Sequence, residues 1–368
     1  MSMDTLTLML FVSYAVSASG YIPTVSSKRV GVLNRETTCS INGFFIMIVF
    51  MSHLRQYTPT ECYGPNDQLY QWVMQNLGQL MVAPFLLFSG YGVMESISSK
   101  GDRYIYNMPA KRIFPYLLDV WIALIPYLLM RVCRHVPTTL DEVLCSMVGW
   151  KGLGNSNWYI FAILTLYIIT YVSFRFARSN YETGIVGVFI ACGLYCQLMI
   201  LERAGTWFYN TIFCYPAGML LSQAIRILRI NNERYKIVRR RVFSQLALVL
   251  MLILFVSLHH IRSKRSLLFN VCAIVFVILV VLIHRLLPAN SKPFIWFGNH
   301  LFYIYMYQRL PMILLMRFAD NPVLYALSCF SFMLLLGVFM PRVHNEIKSI
   351  VLAPLEDNGF VNKTYERM

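Results

Sequence analysis

Apolar stretches long enough to cross a lipid bilayer recur along the whole chain. A transmembrane helix needs about 20 predominantly apolar residues. Of the 368 residues, 57% are hydrophobic and only 13% are charged, and the mean hydropathy is +0.56. A soluble globule of this length needs more polar surface than such a composition supplies. The sequence therefore predicts an all-α fold, a polytopic bundle of transmembrane helices.

The apolar runs predict about eleven spans, a ten-span core preceded by one N-terminal span. A signal-peptidase site at residues 15–20 is disfavoured, because Asp4 and the lack of an upstream basic residue are wrong for a secretory leader. We expect an N-terminal transmembrane helix at 1–27, a membrane domain at 28–342 and a cytoplasmic tail at 343–368. The approximate predicted spans are 6–23, 39–56, 77–97, 113–130, 158–174, 184–201, 207–224, 242–258, 267–283, 294–315 and 323–340.

The basic residues lie between the apolar runs, not on one amphipathic face. Topology therefore explains the formal net charge of +15 better than nucleic-acid binding does. With the N-terminus outside and the C-terminus inside, the inner segments collect more than twice as many Lys and Arg residues as the outer ones. Arg262, Lys264 and Arg265, in a short outer turn, are the exception. The nine cysteines show no spacing typical of a metal site.

The most informative stretch is Ile41 to Gln56, INGFFIMIVFMSHLRQ. Its apolar run carries no charge before His53, an ionisable side chain that is costly to bury in a membrane. On a helix, position 42 lies on nearly the same face as His53, about 16 Å away, and Arg35 is in phase two turns further down. This stripe suits a donor bound from inside and a proton acceptor near the outside. Alternatively, His53 simply ends the helix in the headgroup region.

Six motifs in a fixed order carry a resemblance. They are INGFFIMIVFMSH from Ile41, PFLLFSGYG from Pro84, KRIFPY from Lys111, NWYIFAILTLY from Asn157, FCYPAGMLL from Phe213 and WFGNHLFYIYMYQ from Trp296. In this order they resemble the integral-membrane acyltransferases of the type 3 group, which O-acylate carbohydrates. The resemblance covers nearly all of residues 28–342.

The resemblance implies transfer of an acyl group, most simply acetyl, from cytoplasmic acyl-CoA to a hydroxyl of a glycan or glycolipid. It implies an enzyme of surface-polysaccharide modification in the cytoplasmic membrane. Acyl-CoA is then a co-substrate with no bound cofactor, and the partners are a glycan or lipid-linked saccharide and membrane lipids. His53 is the implied general base, whether transfer is direct or passes through an acyl-histidine. The sequence does not name the acceptor, the acyl chain or the oligomeric state.

The chain departs from the family pattern at several positions. The family's basic residue on the His helix is Asn42 here, and the Asp that often precedes it is Cys39. In the last motif the family's Ser falls near Leu301 and its His on Gln308. Arg35 could replace the lost donor contact, or it is an ordinary topology anchor.

The candidate site residues follow from this pattern. Expected on the donor side are Arg35, Asn42, Ser89, Tyr91, Lys111 and Arg112, and on the acceptor side Glu61, Trp158 and Gln308.

Plainer explanations exist for several candidates. Arg112 would look the same as a topology anchor, and Trp158 as an interfacial belt residue. The small residues around Gly90 could simply allow close helix packing. Glu61 and Asp67 could be solvated loop acids.

Three residues outside the motifs also need a role. Asp119 lies inside a span but belongs to no motif, and His259 and His260 are expected to be solvated.

Two other functions stay open. Eleven spans, an interior Asp and a Pro-kinked helix also fit a transporter or flippase of a lipid-linked saccharide, although no inverted repeat is evident. The loss of the basic residue at Asn42 also fits a non-catalytic member that only binds ligand.

Overall fold

The computed structural model of the chain describes residues 2–19, 33–178, 180–231, 237–286 and 291–357. Within these residues the regular structure is helical and no strand occurs. The helices are α1 (Met3–Ser19), α2 (Arg35–Leu54), α3 (Gln68–Leu77), α4 (Ala83–Lys100), α5 (Asp102–Met108), α6 (Phe114–Cys133), α7 (Leu140–Met147), α8 (Trp158–Ala177), α9 (Tyr181–Leu201), α10 (Cys214–Asn231), α11 (Ile237–Ile261), α12 (Ser266–Leu286), α13 (Lys292–Asn299), α14 (Leu301–Tyr307), α15 (Arg309–Leu314) and α16 (Pro322–Asp357).

The predicted all-α membrane fold is confirmed. Eight helical runs in the described part of the chain are long and apolar enough to cross a bilayer. Three of them are longer than any predicted span. In two of these runs short tight or wide turns join neighbouring helices, and the third belongs to the single helix α16. A 3₁₀ turn at Gly78–Val82 joins α3 to α4, and a π-helical turn at Pro109–Ile113 joins α5 to α6. The predicted number of eleven spans stays a prediction.

Two local expectations differ from the structure. Residues 98–112, interpreted as a loop, are helical through most of their length. The predicted span at 294–315 is interrupted at His300 and again at Gln308. The second interruption has a physical cause, because Pro311 lacks the N–H that would bond to the carbonyl of Tyr307.

The last helix also continues further than predicted. α16 runs to Asp357, well into the segment expected to be a polar tail. Lys28, Arg29 and most of the predicted basic run at 226–241 lie outside the residues whose side chains are described.

The chain divides into two compact units. Unit 1 contains the described residues of Met1–Tyr91, Asn210–Leu301 and Met316–Leu327. Unit 2 contains those of Gly92–Tyr209, Phe302–Leu315 and Ser328–Met368. The motif residues are thus shared between two packing units.

Glycines allow α2 and α13 of unit 1 to pack backbone against backbone. A Cβ atom at Gly43 would overlap the carbonyl of Phe294, and one at Gly298 would overlap the carbonyl of Cys39. The ring of Tyr14 on α1 packs against the same two helices, with its centroid 5.1 Å from that of Phe294. The first and last family-like motifs therefore meet in one close helix contact.

A second contact of the same kind joins α4 and α10. A Cβ atom at Gly90 would overlap the carbonyl of Tyr215, and one at Gly218 would overlap the carbonyl of Leu87. The motif SGYG thus packs on the motif YPAG. This geometry supports the packing explanation for Gly90.

The basic residues near the outer turn after α11 have a partner at the C-terminal end of α3. Arg262 and His259 both hydrogen-bond the carbonyl of Asn76, at 2.7 and 3.1 Å. A cation at a helix C-terminus is favourable because the last carbonyls carry partial negative charge. The expectation that His259 is merely solvated is wrong, whereas His260 is exposed as expected.

Candidate functional site

Unit 2 contains a basic pocket with a volume of about 580 Å³. Four of its lining side chains are cationic and none is acidic, so its potential attracts anions. The lining residues are Lys100, Arg103, Tyr104, Asn107, Met108, Lys111 and Arg112.

The helical run from the end of α4 into α6 creates this pocket. Gly101 has a φ of +57° and turns the chain between α4 and α5, a conformation that other residues adopt at a cost. Positions 103, 107 and 111 recur at four-residue spacing, so they share one face of α5 and its continuation, and Lys100 is the last residue of α4 before the turn. The wide π turn at Pro109–Ile113 carries Lys111 and Arg112. Such turns often occur at functional sites.

Arg112 is held in place by Tyr167 of α8. Its Nη2 donates a hydrogen bond of 2.9 Å to the Tyr167 hydroxyl, and its guanidinium lies 4.6 Å from the centre of the Tyr167 ring. A cation over an aromatic face is attracted by the ring quadrupole. Arg112 is therefore a positioned, half-buried cation rather than a freely moving surface one.

The helix α2 places three candidates in unit 1. It is uninterrupted from Arg35 to Leu54, and the side chain of Asn34 caps it by accepting a hydrogen bond from the backbone N–H of Thr37. Arg35 is thus part of the helix, and Arg35 and His53 lie five turns apart, about 27 Å along the axis. Arg35 is exposed, whereas His53 in the last turn is only 8% exposed.

Asn42, on the same stripe, has an unusual environment. Its Oδ1 atom is buried and has no hydrogen-bond partner among the described residues. A buried acceptor without a partner costs free energy. A ligand N–H or O–H group would satisfy it.

The other unit 1 candidates differ in exposure. Tyr91 is buried and Ser89 half-buried, next to the close contact of α4 with α10. Glu61 is exposed and accepts a hydrogen bond of 3.1 Å from Thr60 Oγ1. Asp67 is not a solvated acid, because its carboxylate accepts hydrogen bonds from the backbone N–H groups of Met3 and Gly64.

The two acceptor-side candidates of unit 2 lie in polar, aromatic surroundings. Trp158 is the first residue of α8, and its ring packs edge-on against Tyr159. Gln308 is fully buried at the interruption between α14 and α15. Its Nε2 donates to the carbonyl of Tyr305, and its Oε1 has no partner within the described part of the chain.

The structure brings together only some of the predicted donor-side residues. Lys111 and Arg112 both line the basic pocket, whereas the other four belong to unit 1 and do not line it.

Sequence reasoning missed Lys100, Arg103 and Tyr104 as lining residues of this pocket. Their helical spacing was a usable signal. Hydropathy alone instead predicts a connecting loop at residues 98–112, which hides this spacing.

Comparison with known proteins identifies the family of the chain. A family model described as an acyltransferase domain, of the integral-membrane type 3 group, matches residues 41–340. This range contains all six motifs, His53 and the pocket, but not Arg35. No curated protein and no solved structure matches the chain.

Proposed function

Because the chain belongs to the acyltransferase 3 family of integral membrane proteins, we propose that it transfers an acyl group, most simply acetyl, from cytoplasmic acyl-CoA to a hydroxyl group of a glycan or glycolipid. Family membership makes the chain a membrane acyltransferase. The donor, the acceptor and the base are the finer parts of the proposal. The observation that carries it is the basic pocket of unit 2.

The pocket fits the phosphates of a CoA donor. Its four cations face no lining acid, and its volume lies within the range of about 300–1,000 Å³ typical of small-molecule sites. Arginine suits phosphate because its planar fork can make two parallel hydrogen bonds. Arg112, already oriented by Tyr167, loses little side-chain freedom when it binds. Arg35, Asn42, Ser89 and Tyr91 stay predicted donor-side residues.

His53 is the proposed general base. It would take the proton of the acceptor hydroxyl, whose oxygen forms a bond to the thioester carbonyl carbon while the carbon–sulfur bond breaks and the CoA thiolate leaves. General-base catalysis typically contributes about 10²–10⁴-fold to the rate, and holding donor and acceptor together supplies much of the remainder. A covalent acyl-histidine intermediate uses the same side chain and is a variant of this mechanism.

The acceptor side and the orientation complete the proposal. Glu61, Trp158 and Gln308 would contact the saccharide, and the unpartnered Oε1 of Gln308 suits a sugar hydroxyl. The protein would lie in the cytoplasmic membrane with its N-terminus outside and its C-terminus inside. The boundaries proposed for its segments are 1–27, 28–342 and 343–368.

Labelled acetyl-CoA tests the function directly. Membranes that contain the wild-type protein and its native glycans should incorporate acetyl label into the glycan fraction. Label transfer or acetyl-CoA hydrolysis supports an enzyme, and glycan movement without label supports a transporter. Binding of acetyl-CoA without turnover would indicate a non-catalytic member, as the substitution at Asn42 allows.

His53 variants test the base. His53→Ala and His53→Gln should each lose at least about two orders of magnitude in turnover, because neither side chain can accept the proton at neutral pH. His300→Gln is the matched control, since the ring of His300 stacks on Trp296 and bonds to its carbonyl at the end of α13. A His53→Gln protein that inserts normally and transfers label at the wild-type rate would remove His53 from the mechanism.

A further inference from the structure

One lining residue of the basic pocket is polar without being charged or aromatic, and this residue is Asn107. Its Nδ2 group donates a hydrogen bond of 2.8 Å to the carbonyl of Arg103, one turn earlier on α5. Because a carbonyl only accepts, the amide oxygen Oδ1 is the end of Asn107 that can accept from a ligand. An asparagine amide is the group that pairs with the edge of adenine, whose N6 amino group donates and whose N7 accepts. The cations of the pocket attract any phosphate, whereas Asn107 can distinguish one base from another.

Arg103 and Lys111 flank Asn107 on the same helical face, one on each side. Each is four residues away, about 6 Å along the axis, so the two cationic positions are about 12 Å apart. A ligand that fits this order carries a base between two anionic groups. Adenosine with one phosphate on its 3′ oxygen and another on its 5′ oxygen has that arrangement.

The two ends of the pocket differ in exposure. Arg112, next to Lys111, is half-buried and bonded to Tyr167 of α8, whereas Lys100 and Arg103 are exposed. The helical run continues from Arg112 into the apolar helix α6. A phosphate that bears the rest of a donor molecule therefore fits the Arg112 end, because the chain attached to it then enters the membrane domain. A terminal phosphate fits the Arg103 end.

The pocket also offers surfaces on which a base can stack. Tyr104 and Met108 both line it, and Met108 is 1% exposed. The Lys100 ammonium lies 6.0 Å from the centre of the Tyr104 ring, so an aromatic face and a cation are close together. Bases of every kind stack on aromatic rings. Tyr104 can thus contribute affinity, while selectivity among bases comes from Asn107.

The charge of the pocket matches a ligand with a terminal phosphate. A phosphate monoester carries a charge of roughly −1.5 to −2 at neutral pH, whereas each phosphate of a pyrophosphate bridge keeps a single acidic oxygen. Four cations are more than a bridge alone requires. The acid nearest in sequence, Asp102, does not line the pocket. Arg103 can bind a terminal phosphate through two parallel hydrogen bonds.

We propose that the basic pocket recognises the adenosine 3′-phosphate end of CoA, with Asn107 reading the adenine edge and Arg103 binding the 3′-phosphate. Lys111 and Arg112 then hold the pyrophosphate. This assignment rests on the proposed function, in which acyl-CoA is the donor, and it narrows the donor class to free CoA thioesters. An acyl group on a protein-bound pantetheine arm carries a phosphodiester but no adenosine, so the pocket does not select it.

Acetyl-dephospho-CoA, which lacks only the 3′-phosphate, tests the role of Arg103. Full-length wild-type protein in membranes should use acetyl-CoA with a kcat/KM at least about tenfold higher, because the dephospho donor lacks a charge-assisted contact. Arg103→Gln should lower kcat/KM for acetyl-CoA to the value for the dephospho donor and leave the latter value unchanged. Arg175→Gln is the matched control and should keep the wild-type preference. The Arg175 guanidinium packs 4.3 Å from the centre of the Tyr106 ring on α5 but does not line the pocket.

Nucleotide binding tests Asn107 without turnover. The probes are adenosine 3′,5′-bisphosphate and guanosine 3′,5′-bisphosphate, titrated calorimetrically into the purified full-length protein. Guanine presents a carbonyl where adenine presents its amino group, so it would face Oδ1 of Asn107 with a second acceptor. We expect the wild type to bind the adenosine compound at least about tenfold more tightly, and Asn107→Leu to bind the two alike. Inorganic pyrophosphate and phosphatidylglycerol vesicles are added as competitors.

The outcomes separate nucleotide recognition from general anion binding. Equal kcat/KM for the two donors in the wild type, or a preference that persists in Arg103→Gln, would refute the assignment. Displacement of the adenosine compound by pyrophosphate or phosphatidylglycerol at equal concentration would refute it too, since the pocket would then be an anion or lipid site. A protein that binds the adenosine compound through Arg103 and Asn107 but neither transfers nor hydrolyses acetyl label would support the nucleotide site and refute the proposed function.

Discussion

Gly90 and Gly92 lie two residues apart on α4 and offer a matched pair of substitutions. A Cβ atom at Gly90 would overlap the carbonyl of Tyr215 on α10, whereas a Cβ atom at Gly92 meets nothing within 4 Å. Alanine favours a helix over glycine by about 0.8–1 kcal/mol, and this gain is common to both substitutions. The difference between the two variants therefore isolates the effect of the contact.

The expected signs are opposite. Gly92→Ala should stabilise the protein by up to about 1 kcal/mol, because its site is exposed and helical. Gly90→Ala has to separate α4 from α10, and overpacking of this kind typically costs about 1–3 kcal/mol. Backbone atoms cannot rotate away as a side chain can, so the upper part of that range is expected.

The assay is the thermal-unfolding midpoint of the purified protein in one detergent, measured at a fixed scan rate. We expect the midpoint of Gly90→Ala below that of wild type and the midpoint of Gly92→Ala at or above it. Gly218→Ala should behave like Gly90→Ala, and the double variant should lose less than the sum, since helices already separated admit the second Cβ more easily. A Gly90→Ala midpoint equal to that of Gly92→Ala would refute the packing explanation.

Further predictions concern charge and donor binding. Arg112→Lys should raise the KM for acetyl-CoA about tenfold in saturation assays with kcat unchanged, because Lys cannot reproduce the planar contact with Tyr167; an unchanged KM would show that Arg112 is only an anchor. Asn42→Arg should keep or lower the KM for acetyl-CoA. Asn42→Leu should raise the melting midpoint, because it removes a buried oxygen that has no partner among the described residues. A lower midpoint of Asn42→Leu would mean that the amide has a structural role. The hydrogen bond from the Lys151 ammonium holds the pKa of Asp141 below its usual range. Any stability from this contact is therefore present above a pH of about 3.9, the ordinary pKa of Asp, and is lost as the pH falls through the lowered pKa of Asp141. Because both groups are exposed, Asp141→Asn should leave the midpoint unchanged at neutral pH, which a melting series against pH checks.

The fold class followed from the sequence because apolar run length is a strong signal that acts over about 20 residues. The stripe of Arg35, Asn42 and His53 was equally accessible, since helical spacing alone places them. The interruption at Gln308 was harder to predict. Its cause, Pro311, is visible in the sequence, but a proline inside a membrane helix is often tolerated by neighbouring helices that satisfy the freed carbonyl.

The basic pocket shows a different limit of sequence reasoning. Positive charges between apolar runs mark cytoplasmic loops in most membrane proteins, and Lys100, Arg103, Lys111 and Arg112 were explained in that way. A topology anchor and an anion site have the same residue types in the same places. Only the helical structure of α5 and its π turn shows that these cations converge on one cavity.

Asp119 makes the same point about distance along the chain. A carboxylate inside a membrane helix requires a partner, and the sequence alone predicts that one exists without saying where. The partners, His344 and Lys348, lie more than 200 residues away on the part of α16 that hydropathy assigned to a polar tail. Because these two side chains are polar, hydropathy ends the predicted span before them and assigns them to the tail. A helical segment whose charges pair with another helix has the same composition as a solvated segment, so composition does not distinguish the two. When the sequence assigns no partner to an ionisable residue in a membrane helix, the partner can lie on the polar continuation of another membrane helix. The predicted helix should then be extended beyond its apolar end, and that extension should be searched for the opposite charge.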